Sequence, residues 1–111
     1  MGRGQEATAE ETMNLAAAFR PEAEADVLET RDWYERQQYG LGDAFRDSLD
    51  QIVVRIETMP QMYAVVFRDV RRGKLRRFPY VIYYRVLSDR IEVIAVLHGS
   101  RDPRLWQERV S

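Results

Sequence analysis

RRFPYVIYYR, residues 76–85, joins two arginines and a Phe-Pro step to a run of β-branched and aromatic residues that closes on a third arginine. From Tyr80 to Val86 the composition is that of a strand, and Pro79, with no N–H to give to a ladder, separates it from the strand before. The arginines are what a strand core does not need. Outward from this stretch, Tyr63 to Phe67, Val70 to Phe78 and Arg90 to His98 share the same Val, Ile, Tyr and Phe bias, with turn residues such as Ser88-Asp89 between them. The second half of the chain is therefore expected to be an antiparallel meander. In its last strand Ile91, Val93, Ala95 and Leu97 take one face by the period of two, and Glu92, Ile94, Val96 and His98 the other. The first face is purely apolar and is expected to lie under helices.

Before Pro60 the period changes. Ala23, Val27, Thr30 and Tyr34 recur at helical spacing behind Pro21, a good first helical residue, so a helix is expected from Pro21 to about Gln38. Phe45, Leu49, Ile52, Ile56 and Met59 predict a second helix that ends before Pro60, with Gly40-Leu41-Gly42 as the breaker between the two. Residues 14–20, NLAAAFR, read as a short first strand, and a short helical stretch is expected around Trp106. Trp33, Tyr34 and Trp106 read as packing residues. Residues 1–12 lack apolar periodicity and read as a disordered leader, leaving one domain from 13 to 111.

Composition narrows the chemistry. The chain has 111 residues, 45% of them hydrophobic, enough for one core. With no cysteine and a single histidine, His98, no disulfide, structural metal or bound cofactor is expected, and the cell interior is the expected location. No apolar run approaches the ~18 residues of a membrane span, so no membrane partner is expected. The net charge of -1 hides an asymmetry: residues 1–59 hold 13 acids and 6 bases, residues 60–111 hold 5 acids and 11 bases. Either the basic half meets an anionic partner, or the halves neutralise each other by packing.

Between Arg68 and Arg77 six of ten residues are basic, and Arg85, Arg101 and Arg104 add to the same half. Read as neighbours on a strand, Arg76 and Arg77 point to opposite faces. A concave sheet carrying Arg71, Arg72, Lys74, Arg76 and Arg77 would bind phosphates or an acidic partner, with Tyr80, Tyr83 and Tyr84 able to stack on bases. The alternative is a solvated hairpin paired with the acidic helices. His98, at a strand end, has the right chemistry for a general acid, with Arg85 or Arg101 stabilising negative charge. A base is harder to place, because Glu92 lies ~20 Å away along the strand. Glu57 or Asp69 would have to come in from elsewhere.

The order of parts resembles the RelE/ParE superfamily of bacterial type II toxins. The resemblance rests on Phe19, Pro21, Glu22 and Ala23 at a strand-to-helix step, Y-G-L-G at the helical turn, R-R-F-P-Y-x-I-Y-Y-R at 76–85 and V-L-H-x-x-R-D-P-x-x-W at 96–106. It implies an α+β fold in the order β-α-α-β-β-β with a short C-terminal helix, the helical hairpin packing on a mostly antiparallel twisted sheet. It also implies a toxin neutralised in a hetero-oligomer by a cognate antitoxin. Its target would be DNA gyrase, without chemistry of its own, or mRNA on the ribosome, with His98, Arg85 and Arg101 in catalysis. Arg76 and Arg77 also match places where the nuclease branch keeps functional side chains. Two departures count against that branch: residues 99–111 contain no tyrosine, and Lys74 is the lone lysine. A non-toxic basic RNA-binding or scaffold module of the same fold is the alternative.

Overall fold

The computed structural model describes residues 15–111, so the expected leader lies outside the described residues. Strand β1 (Ala17–Phe19) runs into helix α1 (Pro21–Gln37), with Pro21 opening the helix and Glu22 and Glu24 in its first turn, where the helix dipole favours acids. Helix α2 (Leu41–Thr58) follows after three residues. The turn is tighter than the expected breaker, because Leu41 and Gly42 already belong to α2 and Gly40 alone, at φ 87°, makes the reversal. Gly42 lies where the helices meet: a Cβ there would come within 2.7 Å of the Arg31 carbonyl oxygen. The Glu35 carboxylate accepts hydrogen bonds from the Gly40 and Gly42 amides at 3.0 and 2.9 Å, so α1 caps the start of α2.

Strands β2 (Val65–Phe67), β3 (Val70–Lys74), β4 (Tyr80–Val86) and β5 (Ile91–His98) follow, then helix α3 (Arg104–Gln107) and a 3-10 turn (Glu108–Val110). The sheet order is β1-β5-β4-β3-β2, antiparallel throughout except for β1, which runs parallel to β5. This is the expected α+β arrangement; the strand expected over Tyr63 to Phe67 forms as the three-residue edge strand β2, one more than the β-α-α-β-β-β order of the resemblance counts. Ala23, Val27, Phe45, Leu49, Ile52 and Ile56 from the helices bury against Ile82, Tyr84, Ile91, Val93 and Val96. Tyr34, Phe45, Phe78 and Tyr80 interlock edge to face in the same layer.

The even alternation expected for β5 fails. The pairing with β4 shifts between Tyr83 and Tyr84, which face Ala95 and Val93 and leave Ile94 as a bulge residue. Ile91 and Val93 therefore face the helices, as expected, but beyond the bulge it is Val96 that does so. Ile94, Ala95 and Leu97 turn to the other face with Val81, Tyr83 and Trp106. The Trp106 ring stacks on Tyr83 at 4.3 Å and meets Phe67 edge-on, so α3 covers a face that the sequence reading left open.

Two further expectations change. Strand β3 ends at Lys74, and Arg76 and Arg77 sit in the following turn, where Arg77 has φ 72° and the Ser48 hydroxyl donates to the Arg76 carbonyl. They are not opposite faces of a strand. Tyr84 is fully buried with the helices, and its hydroxyl donates to the Pro60 carbonyl at 2.6 Å. Burial pushes the Tyr84 phenol up to about 12, with Arg71 opposing the shift. A phenol harder to ionise in the folded state than in the unfolded one contributes stability that is complete below pH ~10 and lost as pH rises toward 12. Tyr84→Phe should therefore flatten the fall in Tm above pH 10 while costing about 1 kcal/mol at neutral pH for the lost hydrogen bond. Thermal melts across that pH range check both.

Candidate functional site

Beyond the end of β1 the outer edge of β5 has no neighbouring strand, and polar groups close it. The Asp26 Oδ2 atom accepts from the Val96 amide at 3.0 Å, and Arg109 Nη1 donates to the Ile94 carbonyl at 3.0 Å. Arg109 also grips the Asp26 carboxylate with both guanidinium nitrogens, at 2.8 and 3.2 Å, and this hydrogen bonding holds the Arg109 pKa above its ordinary value. The bulge and this plug fix the end of β5, and with it His98.

Because the bulge reverses the alternation, His98 follows Val96 to the helix side, where its ring meets Tyr80 edge-on at 5.4 Å. There an open groove of about 730 Å³ lies between α1 and the ends of β4 and β5, lined by Trp33, Arg36, Tyr80, His98 and Arg101 among others. His98 Nδ1 accepts from the Ser100 amide at 3.1 Å, which leaves Nε2 to carry the proton of the neutral ring. Trp33, expected to be packing, is 48% exposed instead. Glu29 lines the groove too, while Asp26 is occupied by Arg109.

His98 and Arg101 thus come together, and Arg85 does not join them. Arg85 pairs across the ladder with Glu92, whereas His98 pairs with Tyr80, five residues and ~16 Å away along β4. Arg85 is held by Glu92 at 3.0 Å and by Asp69 at 3.6 Å, on the face away from the helices. The candidate bases are committed as well: Glu57 accepts from the Ala17 amide at 2.8 Å, and Asp69 goes to Arg85.

The expected binding set also divides. Arg71 donates to the Gln61 and Tyr63 carbonyls, and Tyr84 is buried, so these two hold the fold and Tyr84 presents no ring for stacking. Arg72, Lys74, Arg76 and Arg77 are exposed, and among the described residues none of them forms an ion pair. Among the described residues packing leaves most of the basic half unneutralised: the ion pairs that join the two halves there are Arg20 to Glu92 and Asp26 to Arg109. Sequence reasoning missed Trp33 and Arg36 as surface residues, although Trp33 stands out of phase with the buried stripe Ala23, Val27, Thr30 of its own helix.

Comparison with known proteins places this architecture. Residues 17–103 match the family model described as ParE toxin of type II toxin-antitoxin system, parDE. Toxin ParE2 of Mycobacterium tuberculosis, from strains CDC 1551 / Oshkosh and H37Rv, is 32% identical over 63 residues, which is 57% of this chain and 60% of that protein. A chain of the solved chromosomal ParDE TA system from P. aeruginosa superposes with a TM-score of 0.68 at 17% identity, covering 78% of this chain and 97% of that one. The family match runs from the first residue of β1 to the residue before α3. This chain belongs to the ParE toxin family of type II toxin-antitoxin systems.

Proposed function

We propose that the protein is the toxin of a type II toxin-antitoxin pair, and that it inhibits growth by binding DNA gyrase rather than by cutting mRNA on the ribosome. The observation that carries the choice between targets is that the catalytic set converges only in part: Arg101 joins His98, but Arg85 lies ion-paired on the opposite face and the candidate bases Glu57 and Asp69 are held elsewhere. What does converge around His98 suits protein recognition. A half-exposed tryptophan beside a tyrosine and two arginines that form no ion pair among the described residues is the residue mix that dominates binding energy at protein interfaces.

Neutralisation by a cognate antitoxin follows from the family. The hairpin offers a groove of about 310 Å³ floored by Phe19, Val27, Leu49 and Val53, with Leu28 58% exposed at its side. An amphipathic segment of the antitoxin that orders on binding fits this groove. Expression with and without the product of the adjacent reading frame tests toxicity and partnership together: growth arrest that the neighbour relieves is expected, and harmless expression alone would favour a scaffold module.

The target is tested with purified protein. Inhibition of gyrase supercoiling with ribosome-bound mRNA left intact is expected, and the reverse result removes the gyrase reading. Trp33→Ala should raise the concentration for half-inhibition about 30-fold, the ~2 kcal/mol of a hot-spot truncation. His98→Ala should leave mRNA uncut and supercoiling inhibition measurable.

A further inference from the structure

Once the residues that hold the fold are set aside, one basic surface remains outside both grooves, running along β3 to α2, where Arg76 and Arg77 line an open hollow with Asp47, Ser48 and Gln51. Along β3 and its two flanking turns stand Arg68, Arg72, Lys74, Arg76 and Arg77, all exposed and, among the described residues, in no ion pair. Every apolar side chain between them, Val70 and Leu75, is buried. Arg68 and Arg77 are also the two non-glycine residues with positive φ among those described, 54° and 72°, one in each turn. A backbone conformation that L-residues avoid is thus held at both ends of the row by arginine, where glycine would cost the fold less.

We propose that this row is a contact for the phosphodiester backbone of duplex DNA. A protein partner would need an apolar interface core; beside the row the edge strand β2 exposes Val65 and Val66, two short side chains against five cations, so charge dominates the surface. Single-stranded nucleic acid is bound by stacking its bases on exposed rings, yet Phe78, Tyr83 and Tyr84 are buried and Phe67 is packed against Trp106. Arg68 and Arg77 cover the Phe67 and Phe78 rings at 5.2 and 6.0 Å, and a set of cations with those rings closed to bases matches what a duplex shows on its outside, phosphates that position without being read for sequence. The toxin would then touch DNA and a DNA-bound target together, through surfaces on separate faces.

The test is fluorescence anisotropy of the full chain with a labelled duplex of mixed sequence across a salt series. Weak binding is expected, with Kd on the order of 10⁻⁴ to 10⁻⁶ M near physiological salt and tighter at low salt. Arg72→Gln with Lys74→Gln should weaken binding at least about 10-fold at low salt and lower the slope of log K against log salt by about 2. Arg90→Gln with Arg104→Gln removes the same charge elsewhere and should change little. Arg68→Gly with Arg77→Gly separates folding from binding, because it should leave Tm near the wild-type value and still weaken DNA binding. Three outcomes overturn the proposal: no salt-dependent binding, equal losses in both Gln pairs, or tighter binding to single-stranded RNA of the same length. A fourth does so as well, loss of antitoxin binding in the Arg72/Lys74 variant with DNA binding intact, which would assign the row to an acidic protein. No gyrase is present in this assay, so its result is independent of the supercoiling experiment.

Discussion

Replacing Arg109 with alanine should lower the unfolding free energy by about 3 to 5 kcal/mol, the cost of leaving a buried charge without its partner. The Asp26 and Arg109 side chains are 10% and 19% exposed and joined by two hydrogen bonds. The change also strips the Ile94 carbonyl of its donor, while the backbone carbonyl of residue 109 keeps its hydrogen bond from Arg20 Nη1 at 2.6 Å. Urea unfolding measures the loss. Arg109→Lys should recover only part of it, because an ammonium cannot make the paired contact that a guanidinium fork makes. Raising salt should change little, since a buried pair is poorly screened. A loss near 0.5 kcal/mol would mean that the pair behaves as a solvated one and that the 3-10 turn does not plug the sheet edge.

Gly42→Ala should cost about 3 kcal/mol, at the upper end for overpacking, because the obstacle is backbone. The new methyl carbon would sit 2.7 Å from the Arg31 carbonyl oxygen and 2.9 Å from Glu35 Oε1. The first cannot swing aside, so α1 and α2 must separate near their turn, and the second contact pushes out the carboxylate that caps Gly40 and Gly42. Chemical denaturation gives the magnitude, and a loss below 1 kcal/mol would show that the hairpin opens there at little cost. Because both helices wall the groove proposed for the antitoxin, the same variant should also bind the antitoxin more weakly.

Much of the architecture was legible because it depends on local periodicity. The spacing of Ala23, Val27 and Thr30 and of Phe45, Leu49, Ile52 and Ile56 placed both helices and their buried faces. Composition placed β4 to the residue. Other positions answer to long-range contacts that no local pattern carries. Ser48 and Asp26 are polar residues in helices, yet each is buried to satisfy a distant backbone group, the Arg76 carbonyl and the Val96 amide. Trp33 and Trp106 looked alike as packing residues, but one faces solvent and the other is buried on Tyr83.

The sequence by itself determined the two helices, the meander, the basic second half and, through four ordered motifs, the family. Periods of 3.6 and 2, turn residues and charge are properties of neighbours along the chain, so they survive in one dimension. Tertiary structure alone decided which charges are free and which faces are open. One bulge residue in β5 sent His98 to the helix side and left Glu92 and Arg85 on the other, and helix α3 closed the sheet face that the arginines had seemed to floor. The physical reason is that alternation is a parity: a single extra residue, stabilised by contacts 70 and 15 residues away, inverts everything beyond it.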